Sequence, residues 1–176
     1  MQTIIEKAQQ IRLIIFDVDG VLTDGSLYFG IEGGEYKVFN ARDGMGMVLL
    51  QMSGVAIAII TGLVSHAVTQ RMESLGVHHV FQGQRNKLAA FRQLCDELQL
   101  TPQQVAYVGD DVNDVPVMSQ VGLAVTVADA HPWAVKSAHW QTQARGGHGA
   151  AREICDFIMQ AQGTFAEQLS HYGITT

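Results

Sequence analysis

The sequence predicts a doubly wound α/β domain: a parallel sheet with helices on both faces. Three observations carry that expectation: short apolar runs bounded by Gly and turn residues, stretches of helical spacing between them, and no repeat, low-complexity run or linker to divide the chain. The apolar runs cover residues 11–16, 55–60, 79–81, 105–108 and 123–127, and they read as short buried strands. Helical spacing covers residues 45–52, 65–75, 87–98, 115–121 and 150–161. Thr101 followed by Pro102 suits an N-cap with proline in the first helical turn, ahead of the strand that starts at Val105. One segment breaks the alternation: residues 26–29 and 35–39 are β-like runs separated by Gly30, Gly33 and Gly34, the pattern of a hairpin projecting from the sheet. A single domain over residues 1–176 is expected, ending in a tail from 164 to 176 of mixed polarity without a stop signal.

Composition narrows the function. A chain of 176 residues with 47% hydrophobic content can bury a real core. A formal net charge of −6 argues against nucleic acid as partner, since that role needs clustered Lys and Arg. Cys95 and Cys155 both sit among apolar neighbours in helical patterns and read as buried free thiols, which suits a reducing cytoplasm. The first residues lack the basic start and long apolar region of a signal peptide, and no later run is long enough to span a bilayer. A soluble, cytoplasmic protein with no membrane partner is expected. Trp133 and Trp140 read as packing residues, and the pair His78-His79 lacks partners at ligand spacing.

The chemistry is concentrated at strand ends. Asp17-Val18-Asp19-Gly20 follows the first strand, and the carboxyl ends of strands are where ligands bind in open α/β sheets. Two carboxylates facing one crevice repel each other, and a bound Mg²⁺ offsets that repulsion. Such a pair can divide a reaction: one carboxylate attacks phosphorus to give an aspartyl phosphate, while the other hands a proton to the leaving oxygen and later takes one from water. Asp-Val-Asp-Gly alone is equally a solvated acidic turn. Three further strand ends weigh against that reading. Thr61-Gly62 offers a hydroxyl and backbone N–H groups at a helix start. Lys87 supplies an ammonium to neutralise the transferring group. Gly109-Asp110-Asp111-Val112-Asn113-Asp114 supplies oxygen ligands for a hard cation.

With these motifs in this order the chain resembles the haloacid dehalogenase superfamily of phosphatases, over nearly its whole length. The resemblance implies a Rossmann-like core in which Asp17 is nucleophile and metal ligand. It further implies that Asp19 is general acid/base and binds metal through its backbone carbonyl, and that Asp110 completes the magnesium site. Asp111 would stand outside the metal's immediate ligands and Asp114 would orient Lys87; either also reads as a solvated acid at a helix start. About forty residues separate Asp19 from Thr61 and nothing is inserted between Thr61 and Lys87, so no cap domain is present. Such a form needs enclosure from neighbouring subunits, with the region from Gly146 onward helping to cover an active site.

Within the capless members, the segments Phe16–Gly25, Lys37–Gly44, Val127–Pro132 and Gly146–Glu153 are similar to the 3-deoxy-D-manno-octulosonate 8-phosphate phosphatases. The resemblance implies release of phosphate from an eight-carbon keto acid in lipopolysaccharide synthesis, by a homo-oligomer that is typically a tetramer. Arg42, within Asn40-Ala41-Arg42-Asp43-Gly44, suits a bidentate grip on the acid's carboxylate, and a surface salt bridge is its alternative. Asn40, Gly44 and Gly62 belong to the same candidate substrate set, as does His148, which reads either as a substrate neighbour or as a capping histidine. Many relatives place Arg after the Thr-Gly of the second motif, where this chain has Leu63. Two rivals stand beside this reading. One is a phosphatase of a nine-carbon keto-deoxy sugar acid 9-phosphate. The other is a phospho-accepting receiver module, against which Asp19 argues because it supplies the proton transfer that fast hydrolysis needs.

Overall fold

The computed structural model describes residues 2–31 and 34–175. Six strands, β1 (Leu13–Phe16), β4 (Ala56–Ile60), β5 (His79–Phe81), β6 (Val105–Val108), β7 (Leu123–Thr126) and β8 (Trp140–Gln141), form one parallel sheet in the order β5-β4-β1-β6-β7-β8. The first five match the apolar runs of the sequence. The remaining two, β2 (Tyr28–Phe29) and β3 (Glu35–Tyr36), form a separate antiparallel hairpin with Tyr28 opposite Tyr36. The expected Gly33 lies outside the described residues, and the paired strands are shorter than the sequence suggested.

Every central strand is buried on both faces because alternate residues feed two different cores. Ile14, Phe16, Ile57 and Ile59 point to one layer with Met47 and Leu50 of α2 (Ala41–Met52), Val68 and Met72 of α3 (His66–Ser74), Ile154 and Ile158 of α7 (Ala150–Gln162), and Ala8 of α1 (Ile4–Gln9). Leu13, Ile15, Ala58 and Ile60 point to the other, against Phe91 and Leu94 of α4 (Lys87–Leu98), Val117 and Met118 of α5 (Val115–Met118), and Ala134 of α6 (Pro132–Ser137). The chain leaves β1 toward β4 and β5, then crosses back to β6 on the other side. This reversal opens a crevice at the carboxyl ends of β1, β4 and β6, where a doubly wound sheet binds its ligand.

Four elements were not read from periodicity: α1, α6 and α8 (Phe165–Ser170), whose six residues make fewer than two helical turns, and β8, which has two residues. A capping box between Thr3 and Glu6 starts α1. Helix α2 begins at Ala41, ahead of the expected residue 45, because the Asn40 side chain accepts from the Arg42 N–H at 2.8 Å. The tail carries structure of its own: Gly163 ends α7 in the left-handed conformation, α8 follows, and the Tyr172 hydroxyl lies 3.8 Å from Met45 Sδ. Trp140 packs on Phe157 with ring centroids 4.7 Å apart. Trp133 corrects the packing expectation, being 58% exposed with the Lys136 ammonium over its ring. Both thiols are buried, and among the described residues no helix is long and apolar enough to cross a membrane.

Candidate active site

The backbone of Asp17 stays tied to the sheet, its N–H donating to the Val108 carbonyl at 3.0 Å. The chain then turns at once, with the Val18 carbonyl accepting from Val21, Leu22 and Thr23. Gly20 adopts φ +88°, and a Cβ there would meet the Asp110 carboxylate. The acid-pair loop and the loop after β6 therefore touch at a position that only glycine fits.

Lys87, 3% exposed at the start of α4, lies beneath this contact. Its ammonium is 2.5 Å from Asp17 Oδ2 and 2.8 Å from Asp114 Oδ1. Asp114 is wholly buried with both oxygens engaged: Oδ1 also accepts from the Tyr107 hydroxyl at 2.6 Å, while Oδ2 accepts from the N–H groups of Asp110 and Asp111 at 3.0 and 3.2 Å. Burial opposes the charge on Lys87, but the two carboxylates outweigh it and hold the ammonium's pKa above its ordinary value. Burial, and after it the Asp114 charge, push the Asp17 carboxyl up to about 7. Asp110 is also pushed to about 7, by burial and then by Asp114, Asp17 and Asp111.

Oxygens of Asp17, Asp110 and Asp114 lie within 4.8 Å of one another. Because Asp114 is fully engaged by hydrogen bonds, Asp17 and Asp110 are the carboxylates left to a metal. Hard oxygen donors whose repulsion a divalent cation relieves are the set that Mg²⁺ takes, so the residues fit it.

Asp19 has a different cationic partner. Its Oδ1 is 2.5 Å from the Lys37 ammonium, which also lies 2.7 Å from Glu35 Oε1, and the Lys37 side chain is only 1% exposed. The base of the hairpin thus holds the second acid of the pair. At the end of β4, Thr61 is 2% exposed and its N–H donates to the Phe81 carbonyl at 2.9 Å. That corrects the expectation of a helix start at Thr61-Gly62: α3 begins at His66, and the Thr61 N–H belongs to the sheet, leaving its hydroxyl.

A crevice of about 400 Å³ brings together Asp17, Asp19, Thr61, Gly62, Asp110 and Asp111, with Leu63, Gln84, Arg85 and Asn113 completing its wall. Lys87 and Asp114 support it from below. Asn40, Arg42, Gly44 and His148 do not line it. Asn40 caps α2 and donates to the Gly147 carbonyl at 3.3 Å, Gly44 packs against Arg71, and the side chains of Arg42 and His148 face solvent. Sequence reasoning had assigned no role to Lys37, Tyr107, Gln84 or Arg85. Alternation continued one residue past β3, which would set Lys37 on the side of Glu35 and away from Tyr36, was the signal available for Lys37.

A sequence profile described as haloacid dehalogenase-like hydrolase matches residues 47–154. The 3-deoxy-D-manno-octulosonate 8-phosphate phosphatase of Yersinia pestis is 51% identical over 159 residues, covering 90% of this chain and 85% of the relative. Its counterpart in Escherichia coli K12 is 51% identical over 164 residues, 93% of this chain and 87% of the relative. The crystal structure of the Moraxella catarrhalis phosphatase of the same name, in complex with a magnesium ion, a phosphate ion and a KDO molecule, superposes with a TM-score of 0.94 at 37% identity, covering 96% of this chain and 97% of that one.

Proposed function

The chain belongs to the haloacid dehalogenase-like hydrolases, and from that premise we propose that it hydrolyses 3-deoxy-D-manno-octulosonate 8-phosphate to the free sugar acid and phosphate, as a magnesium-dependent step of lipopolysaccharide synthesis. The observation that carries the chemistry is the Lys87 ammonium lying between Asp17 and Asp114 beneath a crevice rimmed by Asp19 and Asp110. The substrate rests on relatives of that name matched over most of both chains.

An Asp17 oxygen attacks phosphorus as the bond to the sugar oxygen breaks, and Asp19 gives that oxygen its proton. Water then attacks the aspartyl phosphate, Asp19 takes a proton from it, and phosphate leaves with Asp17 restored. Lys87 and the Thr61 hydroxyl offset charge on the phosphoryl oxygens, and Lys37 fixes the direction of Asp19. Asp17, Asp110 and the Asp19 carbonyl would hold Mg²⁺, which supplies positive charge to the transferring group. Asp114 orients Lys87, and Asp111 closes the rim.

Enclosure is proposed to come from a homo-oligomer, a tetramer on the resemblance. The hairpin supports this reading, since it presents Phe29, Ile31, Tyr36 and Val38 to solvent at 76, 107, 67 and 63% exposure. Arg42 and His148 are available to such an assembly because neither side chain is engaged in the fold. One domain, working in the cytoplasm with its thiols reduced, completes the proposal. The decisive measurement is phosphate release from the eight-carbon and nine-carbon acid phosphates, with Mg²⁺ and after chelation. Preference for the eight-carbon substrate and its loss in Asp17→Asn are expected. Preference for the nine-carbon acid would overturn the substrate, and near wild-type release by Asp17→Asn would overturn the covalent route.

A further inference from the structure

The carboxylate of the sugar acid sits at the opposite end of the molecule from its phosphate, so with the phosphate seated on Asp17 the acid group needs a partner of its own away from the acid pair. The crevice wall is poor in available positive charge. It carries the carboxylates of Asp17, Asp19, Asp110 and Asp111, and both nearby ammonium groups are committed, Lys87 to Asp17 and Asp114, Lys37 to Asp19 and Glu35. Arg85 is the cation among the lining residues, and among the described residues its guanidinium makes no ion pair or hydrogen bond. An unpartnered guanidinium at the edge of an acidic crevice is suited to a planar, bidentate anion.

Its backbone is held on both sides. The Gln84 N–H donates to the Thr61 carbonyl at 2.9 Å, the Gly83 N–H to the Leu63 carbonyl at 3.2 Å, and the Arg85 N–H to the Gly83 carbonyl at 3.2 Å. Gly83 makes this turn possible with φ +70°. After it, the Asn86 side chain caps α4 by accepting from the Ala89 N–H, three residues on, at 3.3 Å. The turn is thus fastened to the end of β4 while the Arg85 side chain stays without a partner at the crevice. Leu63, 47% exposed beside it, adds an apolar wall that does not compete for the anion.

We propose that Arg85 is a specificity-determining residue that receives the carboxylate of the sugar-acid substrate within a single chain. The inference rests on the sugar-acid reading of the site and adds to it the residue that reads the acid. A phosphoryl contact is the competing role for the same side chain, and the two separate by substrate. An oxygen bound at the carboxylate end matters only to substrates that carry one, whereas a phosphoryl contact matters to every monoester.

The test compares wild type, Arg85→Ala and Arg85→Lys on the eight-carbon acid phosphate and on a hexose 6-phosphate, with inhibition by the free eight-carbon acid measured alongside. For Arg85→Ala, a loss of kcat/KM of about 10- to 100-fold is expected on the acid phosphate, with a parallel weakening of inhibition by the free acid and little change on the hexose phosphate. Arg85→Lys should recover part of the loss, because it restores charge without the fork. Equal losses on both substrates, or no loss on either, would overturn the assignment while leaving the proposed function intact. Wild-type protein that turns over the hexose phosphate but not the acid phosphate would instead remove the sugar-acid reading, and the role of Arg85 with it.

Discussion

Lys87 concentrates the electrostatics of the site in one buried atom. Its ammonium is the shared partner of two carboxylates that are 4% and 0% exposed, so its removal leaves uncompensated charge rather than a mere void. Lys87→Ala should cost about 3–5 kcal/mol in the metal-free protein, read as a urea midpoint shift, and should abolish phosphate release. The same crowding sets a pH dependence. Asp17 and Asp110 are raised from 3.8 to about 7 in the folded protein, so between those values the folded state binds more protons than the unfolded one. Stability of the metal-free protein therefore falls as pH rises from about 4 to about 7 and levels off above. Mg²⁺ displaces those protons, so the rise in Tm on adding it should be larger at about pH 8 than at about pH 5. Melting curves of chelated protein at both values, with and without Mg²⁺, check this; an equal shift at both would dismiss the assignment of Asp17 and Asp110 as the titrating ligands.

Among the elements, the glycine turn before α7 does more for the site than its distance in sequence suggests. The Gly147 N–H donates to the Val21 carbonyl at 2.9 Å, and the Gly146 N–H to Asp129 Oδ1 at 3.1 Å, so the turn lies directly on the acid-pair loop. A Cβ on Gly146 would run into the Gly20 carbonyl, which is backbone and cannot swing aside. Asp43 of α2 fixes the other end of the turn by accepting from the N–H groups of Gly149 and Arg152 at 3.2 and 2.8 Å. Gly146→Ala should therefore displace the loop carrying Asp19, lowering kcat at least about tenfold and stability by about 1–3 kcal/mol. Steady-state kinetics beside a thermal melt would test it, and unaltered kcat would show that the turn only caps α7.

At the scale of the whole molecule, the hairpin faces two ways. Lys37 at its base holds Asp19 at the crevice, while its outer face carries exposed aromatic and aliphatic side chains. On the proposed assembly, Phe29→Asp with Tyr36→Asp should lower the mass in sedimentation and raise KM, because the proposed enclosure by neighbours would be lost. A variant of unchanged mass and kinetics would remove the hairpin from assembly.

Much of the fold was legible in the sequence because both of its signals are local. Strands such as Leu13–Phe16 and Val105–Val108 are apolar at every position, which a sheet buried on both faces requires, and Asp17, Thr61 and Asp110 each follow such a run. The helices near the chain ends and the one starting at Pro132 were not legible, since six residues make fewer than two helical turns and cannot establish a 3.6-residue period. The sequence by itself determined the α/β class, five of the six sheet strands in their order along the chain and the set of acids at their ends. Only the tertiary structure decided that Asp114 is saturated while Asp17 and Asp110 remain for a cation, that Lys37 holds Asp19, and that Arg85 rather than Arg42 lines the crevice. The physical reason is that a side chain's role is set by what faces it across loops from different strands, and that pairing is written in distances between segments, not along any one of them.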